Sequence, residues 1–558
     1  MLRDFFEQRL LRGLVRRHNN FRIARLARRI AESEQPSRGA PVVFFKASSG
    51  IDDLSWNSGF HLLASWAVRL DGVPVHYFGC SAGMSLCVLG TDHRDLRKPP
   101  PCRSCIHQSR TLYERADAEW FTYEPDPNLA AALKDRSLAE LAQLEWSPEQ
   151  SSVGARAVGG TLPLGALCMP SVRWILRRHH LVDDENTRHL LREYIQSAWN
   201  VGRKFAAWLD RLQPRAVVLF NGQFFPEAVA GAVARRRRIP VITHEVGFRP
   251  ASAFFTAGDA TAYPITIPAD FELSPAQGAR LDSYLSRRFQ GDFSMAGVRF
   301  WPHMRGLDDQ LRAKGARFKQ VVPVFTNVVF DTSQPHANTV FEDMFVWLDL
   351  TLEIARAHPD TLFVIRAHPD ELRIRKASRE TVEAWAETSA AIQEHNVVFV
   401  GPREGISSYE LIQVSKFVMV YNSTIGLEAS ILGKPVLCAG RARYTGYETV
   451  FFPQTAGEFR RVAEQMLTSQ SIEVPPEFRR NSRRFLYYQV FRTSLPFDDL
   501  LRPSVRSTHA RLKPIQVASL RRGALPALDA ILHGILEGGD FLRRESDDSR
   551  LEIDSHAN

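Results

Sequence analysis

The residues best suited to chemistry sit where apolar runs stop. In 415–440, SKFVMVYNSTIGLEASILGKPVLCAG, a buried strand should end at Tyr421. Asn422, Ser423 and Thr424 then open a helix, which Gly433 ends before Pro435 leads into another strand. Asn, Ser and Thr are good N-caps, and a helix N-terminus offers unpaired N–H groups and a positive dipole end, a seat for phosphate. Gly426 permits close backbone approach, and Glu428 lies about one turn on, where a carboxylate could accept from ribose hydroxyls. An ordinary capped helix with a solvated Glu428 would account for the same residues. A second stretch, Arg366-Ala367-His368-Pro369, follows the apolar run LFVI. Pro369 keeps His368 extended. An imidazole at such a strand end can donate to a phosphate oxygen and offset charge on a leaving nucleotide.

A general base would have to come from elsewhere. Glu245 follows the run PVITH, and Asp52 and Asp53 follow PVVFF and its Lys46-Ala47-Ser48-Ser49-Gly50 loop. A carboxylate at a strand's carboxyl end can reach an acceptor hydroxyl, although each of the three would serve equally as a loop acid or helix cap. Thr326 and Asn327 could bond the donor's sugar or phosphate, as could Arg441, Arg443 and Tyr444. Asn221-Gly222-Gln223 occupies the place in the first half that Thr326-Asn327 has in the second, and suits the acceptor. Ser407-x-x-Glu410 fits a capping box.

Four of the six cysteines fall within 26 residues, Cys80, Cys87, Cys102 and Cys105, with spacing C-x6-C-x14-C-x2-C. The close C-x2-C pair plus two more suits a tetrahedral structural zinc, or an iron–sulfur cluster. Free buried cysteines are the plainer reading, and His93 and His107 are substitute ligands.

The elements that must position these residues repeat one grammar. PVVFF (41–45), VPVHYF (73–78), AVVLF (216–220) and PVITHE (240–245) read as strands, separated by helical periodicity over 59–70, 193–212 and 226–237. The pattern restarts near 316. VVPVFTNVVF (321–330), TLFVIR (361–366), NVVFVG (396–401), KFVMVY (416–421) and KPVLCAG (434–440) are strands, with helices over 341–357, 378–394, from Ser407 and from Ser423. Strand–helix alternation predicts parallel sheets covered on both faces. The expected fold is α/β of the GT-B type: two Rossmann-like domains, 39–315 and 316–500, facing a central cleft, with added helices at 1–38 and 501–558. Open parallel sheets bind ligands beyond the carboxyl ends of their strands, where the residues above lie. The stretches 147–160 and 503–523 have linker composition.

The chain's 558 residues exceed one core. No run approaches the ~18 to 20 apolar residues of a membrane span, and the start lacks a secretory apolar core, which predicts a cytoplasmic protein. The net charge is +9. Residues 1–35 hold nine arginines against Asp4, Glu7, Glu32 and Glu34, and read as a basic amphipathic helix with Phe5, Phe6, Leu10, Leu14, Phe21, Leu26 and Ile30 on one side. That helix suits an anionic membrane surface or the protein's own surface. Nucleic acid is not expected, because no aromatic stacking platform interleaves the basic runs. The last 18 residues read as a disordered acidic tail.

RAHPDE (366–371), SSYELIQVSKFVMVYNSTIGLEASILGKPV (407–436) and VPVFTNVVFD (322–331) together resemble the C-terminal half of bacterial capsule polysaccharide biosynthesis proteins. These are GT-B glycosyltransferases that include Kdo transferases. Related architecture occurs in bacterial sialyltransferases and teichoic-acid polyol-phosphate transferases. The resemblance covers roughly 320–455. It implies that His368, Ser423 and Thr424 contact the donor's phosphate and Glu428 its ribose; Thr326, Asn327, Arg366, Asn422 and Gly426 are expected to bind the donor with them. The donor would be a CMP-, CDP-, UDP- or GDP-linked sugar, and the acceptor a glycan or lipid-linked glycan. No D-x-D follows a strand, so transfer is expected to need no metal. A nucleotide-sugar 2-epimerase and a polyol-phosphate transferase share the same features, and a non-enzymatic scaffold is the reading from another class.

Overall fold

The computed structural model describes the chain except residues 1, 35–38, 48–49, 52, 292–293, 296–297, 300–305, 308, 374–375 and 545–558; for residues 2–9, 294–295 and 298–299 it describes the backbone alone. Asp52 and the acidic tail from Glu545 onward lie outside the described residues.

Two parallel sheets organise the molecule. The first contains β1 (Val42–Phe45), β2 (Val75–Cys80), β3 (Asp117–Phe121), β4 (Ala216–Phe220), β5 (Val241–Val246) and β6 (Ser252–Thr256). The second contains β7 (Gln320–Phe325), β8 (Thr361–Arg366), β9 (Val397–Val400), β10 (Val418–Val420) and β11 (Val436–Cys438). A short β12 (Leu495–Pro496) follows late in the chain. The first sheet runs β12-β6-β5-β4-β1-β2-β3 and the second β9-β8-β7-β10-β11. Each therefore has the doubly wound order 3-2-1-4-5 among its parallel strands, and β6 and β12 add antiparallel edges to the first. The two Rossmann-like halves expected from the alternating pattern are present.

The strands read as continuous apolar runs because both faces are buried. Val42 and Phe44 enter one core with Phe60, Leu63 and Trp66 of the helix Trp56–Leu70, while Val43 and Phe45 enter another with Tyr194, Phe205 and Trp208 of the helix Glu185–Leu212. In the second sheet Val322, Val324, Phe363 and Ile365 share a core with Trp347 and Tyr421.

Several boundaries differ from the sequence expectation. The strand expected over 321–330 stops at Phe325, because the Thr326 amide and hydroxyl both turn onto the Arg366 carbonyl. The helix expected over 378–394 is Val382–Thr388 and then a 3-10 turn, divided at Ala390, which has φ +58°. The stretch 503–523 is no linker. It carries the hairpin Leu501–Pro503 with Ala510–Leu512, and Ala510, Leu512 and Leu520 are buried in the first core.

The chain also crosses between halves. The helix Pro275–Phe289, expected in the first half, buries Leu281 and Leu285 in a core with Val418, Leu427 and Phe485. Residues from Leu495 to Phe541 return to the first core, with the helix Pro526–Glu537 among them. The N-terminal helix Leu2–Ser33 is two-sided in another sense: Ile23, Leu26, Ala27 and Ile30 are buried on the first half, whereas Leu10, Leu14 and Phe21 are exposed.

Candidate active site

On the second half, His368 follows β8 directly. Its Nδ1 accepts a hydrogen bond from the Asp370 amide at 3.1 Å. A backbone amide can only donate, so the ring proton sits on Nε2. Burial lowers the imidazole's pKa, which leaves His368 a neutral donor. It lines a small recess with Thr326, Arg366, Ser423, Thr424 and Glu428, and also the larger cleft beside that recess. The expected phosphate residues at the ends of β7, β8 and β10 are thus brought together.

The recess departs from expectation in detail. Thr424 stands at the N-cap of the helix Ile425–Ile431 but makes no side-chain cap, and within the first turn the Gly426 amide donates to the Ser423 carbonyl at 3.1 Å. Gly426 answers to packing: a Cβ there would meet the Tyr444 hydroxyl and lie 2.9 Å from Val420 Cγ2. Tyr444 is buried and donates to the Ser423 carbonyl at 2.6 Å, which fixes the turn; it is not a ligand contact.

Glu428 is neither solvated nor held ready for a ribose. It is 2% exposed. Its Oε1 accepts from Arg288 Nε at 2.7 Å and Nη2 at 2.5 Å, and its Oε2 from the Tyr409 hydroxyl at 2.5 Å. This ion pair ties the helix Pro275–Phe289 under the recess. Arg366 is likewise buried, with its guanidinium on the Ile406 carbonyl. Glu410 completes only half of a capping box: its amide donates to Ser407 Oγ, but its carboxylate takes the Leu307 amide and Arg312.

On the first half, Glu245 near the end of β5 faces the cleft. Its Oε1 accepts from Asn57 Nδ2 at 2.8 Å and from the Val246 amide at 2.9 Å, and its Oε2 from Asn221 Nδ2 at 3.1 Å. Burial holds the carboxyl above the usual glutamate range, while these donors pull it back part of the way. Asn221 has φ +60° and Gly222 φ +83°. Two successive left-handed residues turn the chain sharply out of β4, and Asn and Gly tolerate that conformation best. Asp53 does not join Glu245. Its carboxylate accepts from its neighbour's amide, at Leu54, and from Ser504 Oγ, both at 2.8 Å, and it is not part of the cleft wall.

The cleft between the halves has a volume of about 360 Å³. Asn57, Asn221 and Glu245 face it from the first half, and Asn327, Asp331, His368, Arg373, Lys376 and Arg443 from the second. Among the described residues, Asn57 Oδ1, Asn327 Oδ1 and Arg443 Nη1 are buried there without a hydrogen-bond partner. Buried polar atoms in folded proteins are normally satisfied, so these three are available to a ligand in the cleft. Arg443 lies 4.4 and 4.5 Å from the ring centroids of Phe248 and Tyr263, and Lys376 lies 4.3 Å from that of Trp174. Arg441, by contrast, is exposed and outside the cleft wall.

Sequence reasoning missed Asn57, Asp331, Arg373 and Lys376. Asp331 ends the block VPVFTNVVFD and was open to notice. Asn57 carried no signal, being one polar residue in a helix that packs on β5.

The halves are also joined beside the cleft. His180 Nδ1 lies 2.6 Å from Glu380 Oε1, and its Nε2 lies 3.1 Å from Asp343 Oδ2. His179, His180 and Asp343 bring three ligand-type atoms within 4.8 Å of one another, with His179 Nε2 3.9 Å from Asp343 Oδ2. The four clustered cysteines line one cavity in the first half, away from the cleft.

Residues 297–465 match the family model "Capsule polysaccharide biosynthesis protein". No match was found among curated proteins. Among solved structures, the Thermosulfurimonas dismutans KpsC beta Kdo 2,7 transferase is similar at 14% identity, over 60% of this chain and 89% of that one, with a TM-score of 0.31. The beta Kdo 2,4 transferase of the same KpsC aligns at 14% identity over 58% and 87%, with a TM-score of 0.33. A UDP-GlcNAc 2-epimerase from Neisseria meningitidis bound to UDP-GlcNAc aligns at 14% over 80% and 98%, with a TM-score of 0.22. The family match spans β7 to β11, the sheet that carries His368 and the 422–428 turn; through that half, the chain is similar to the capsule polysaccharide biosynthesis proteins.

Proposed function

We propose that the protein is a glycosyltransferase of the GT-B type that moves a sugar from a nucleotide-linked donor to a surface-glycan or glycolipid acceptor. The observation that carries this reading is the pairing, across one cleft, of a buried carboxylate on the first half with a neutral histidine donor on the second. The donor's phosphate occupies the recess of His368, Ser423 and Thr424, where the positive end of the helix Ile425–Ile431 and the His368 Nε2–H meet its oxygens. Arg443, Arg373 and Lys376 add positive charge along the wall. The acceptor enters from the side of Asn57 and Asn221. Glu245 takes the proton of the attacking hydroxyl, the sugar–phosphate bond breaks, and His368 stabilises the charge left on the nucleotide. Transfer on these terms requires no metal ion.

Acceptor use separates this from epimerisation. The full chain is incubated with CMP-, CDP-, UDP- and GDP-sugars, with and without capsular oligosaccharide. Acceptor-dependent release of free nucleotide supports the reading. Conversion of a nucleotide sugar to its epimer without acceptor would replace it.

We also propose that the N-terminal helix holds the enzyme on an anionic membrane face near a lipid-linked acceptor. Exposed Leu10, Leu11 and Leu14 alternate there with Arg12, Arg16 and Arg17, a pattern suited to apolar insertion beside anionic headgroups. Among the described residues no helix is long and apolar enough to cross a membrane.

A further inference from the structure

We propose that Cys80, Cys87, Cys102 and Cys105 together bind an iron–sulfur cluster in the first half of the protein, at a site separate from the cleft. Three pieces of chain bring the thiols to one cavity. Cys80 ends β2, Cys87 lies in the loop that follows, and Cys102 and Cys105 occupy the first turn of the helix Cys102–Leu112. A spacing of three places the last two on the same helix face. The rest of the wall is apolar, with Ala47, Ile51, Met84, Leu89 and Ile106 prominent. None of the cysteines is disulfide-bonded.

The backbone is arranged for sulfur as an acceptor. The Gly83 amide donates to Cys80 Sγ at 3.1 Å, and the Gly90 amide donates to Cys87 Sγ at 3.3 Å. Both are Cys-x-x-Gly turns, so one device is used twice. A Cβ on Gly90 would lie 2.7 Å from Pro100 Cβ and 3.0 Å from Cys87 Sγ, so the close approach requires glycine. Such bonds are weak to a thiol and strong to a thiolate, and hydrogen bonds to cysteine sulfur tune metal clusters. Positive potential is present as well. The helix carrying Cys102 and Cys105 starts at the cavity wall, which Pro101, Cys102 and Cys105 line, with its positive dipole end there.

The spread of the sulfurs chooses the metal. Thiolates around a tetrahedral zinc, at about 2.3 Å each, lie about 3.8 Å from one another. Among the described residues no three of the four sulfurs come within 4.8 Å of one another. They surround a cavity instead. A cluster places several irons and sulfides between its ligands and needs that wider ring. The tetrahedral zinc expected from the spacing is therefore the poorer fit.

The test uses the full chain, purified without oxygen and without a metal-affinity tag. Iron, acid-labile sulfide and zinc are measured together with the visible spectrum. The expected result is about two to four irons per chain with matching sulfide, and a broad absorption that dithionite bleaches. Cys102→Ser should lose most of both. The unsubstituted chain decides the matter by itself should that variant misfold. One zinc per chain without iron or sulfide would overturn the cluster. No metal, with all four thiols alkylated in the native protein, would overturn the site altogether.

Discussion

Asn57 Nδ2 donates to Glu245 Oε1 over 2.8 Å, from a helix that begins far from Glu245 in sequence. The bond stabilises the ionised carboxylate, and burial opposes it. Activity should therefore fall as pH drops through a Glu245 pKa above the ordinary glutamate value. Asn57→Ala removes a donor to the charged form, so the acidic limb of the rate profile should move to higher pH, by about one unit. An unmoved limb would remove Glu245 as the base.

His368→Ala should lower transfer by about 10²- to 10³-fold, the usual cost of losing a donor to developing charge. Its melting temperature should stay near that of the parent, since among the described residues the ring bonds only to a neighbouring amide. His368→Gln, which keeps an N–H, should recover part of the rate. Equal loss in both variants would mean that the ring only shapes the loop.

Glu428→Gln leaves Arg288 buried beside a neutral partner. Removing one member of a buried ion pair costs about 3–5 kcal/mol, so the denaturant midpoint should fall sharply. A nucleotide affinity that drops while stability holds would restore the ribose role.

Glu371 is fully buried, its Oε2 has no partner among the described residues, and burial pushes its carboxyl up to about 8. The native state keeps this proton at pH values where the unfolded chain has lost it. Its contribution is full below the ordinary glutamate pKa and is lost as pH rises through about 8. Glu371→Gln cannot ionise. Its melting temperature should overtake that of the parent as pH rises from 5 to 9, with the gap reaching several degrees. Parallel curves would show that Glu371 titrates normally.

Membrane docking is tested by sedimentation with anionic vesicles at low and high salt. Deleting residues 1–30 would strip Ile23, Leu26, Ala27 and Ile30 from the core, so substitution is the better probe. Leu10→Gln with Leu14→Gln should reduce vesicle binding several-fold without loss of fold, because both leucines are more than 60% exposed. Binding unchanged by the substitutions would dismiss the helix as the anchor.

The alternating apolar runs made both sheets legible, because a strand buried on both faces must be apolar throughout, as Val42 to Phe45 are. The placement of His368 and Glu245 on the cleft wall is legible for a related reason: strand ends are where parallel sheets expose side chains. Partners were not legible. Glu428 reads as a ribose contact because nothing local announces Arg288, 140 residues away. Gly426 reads as room for close backbone approach because the Tyr444 hydroxyl that fills its space comes from a later loop. The stretch 503–523 has the composition of a linker, yet Leu512 and Leu520 are buried on the first half. Such long-range returns leave no periodic trace.

The central claim is that a nucleotide donor sits at His368 while Glu245 acts on the acceptor side. Thermal shift of the full-length parent, Glu245→Gln and His368→Ala with CMP, CDP, UDP and GDP tests it most directly, since a bound nucleotide raises the melting temperature by mass action. One of the four should stabilise the parent and Glu245→Gln equally, and His368→Ala much less. Stabilisation by none of them, or an undiminished shift in His368→Ala, would contradict the account.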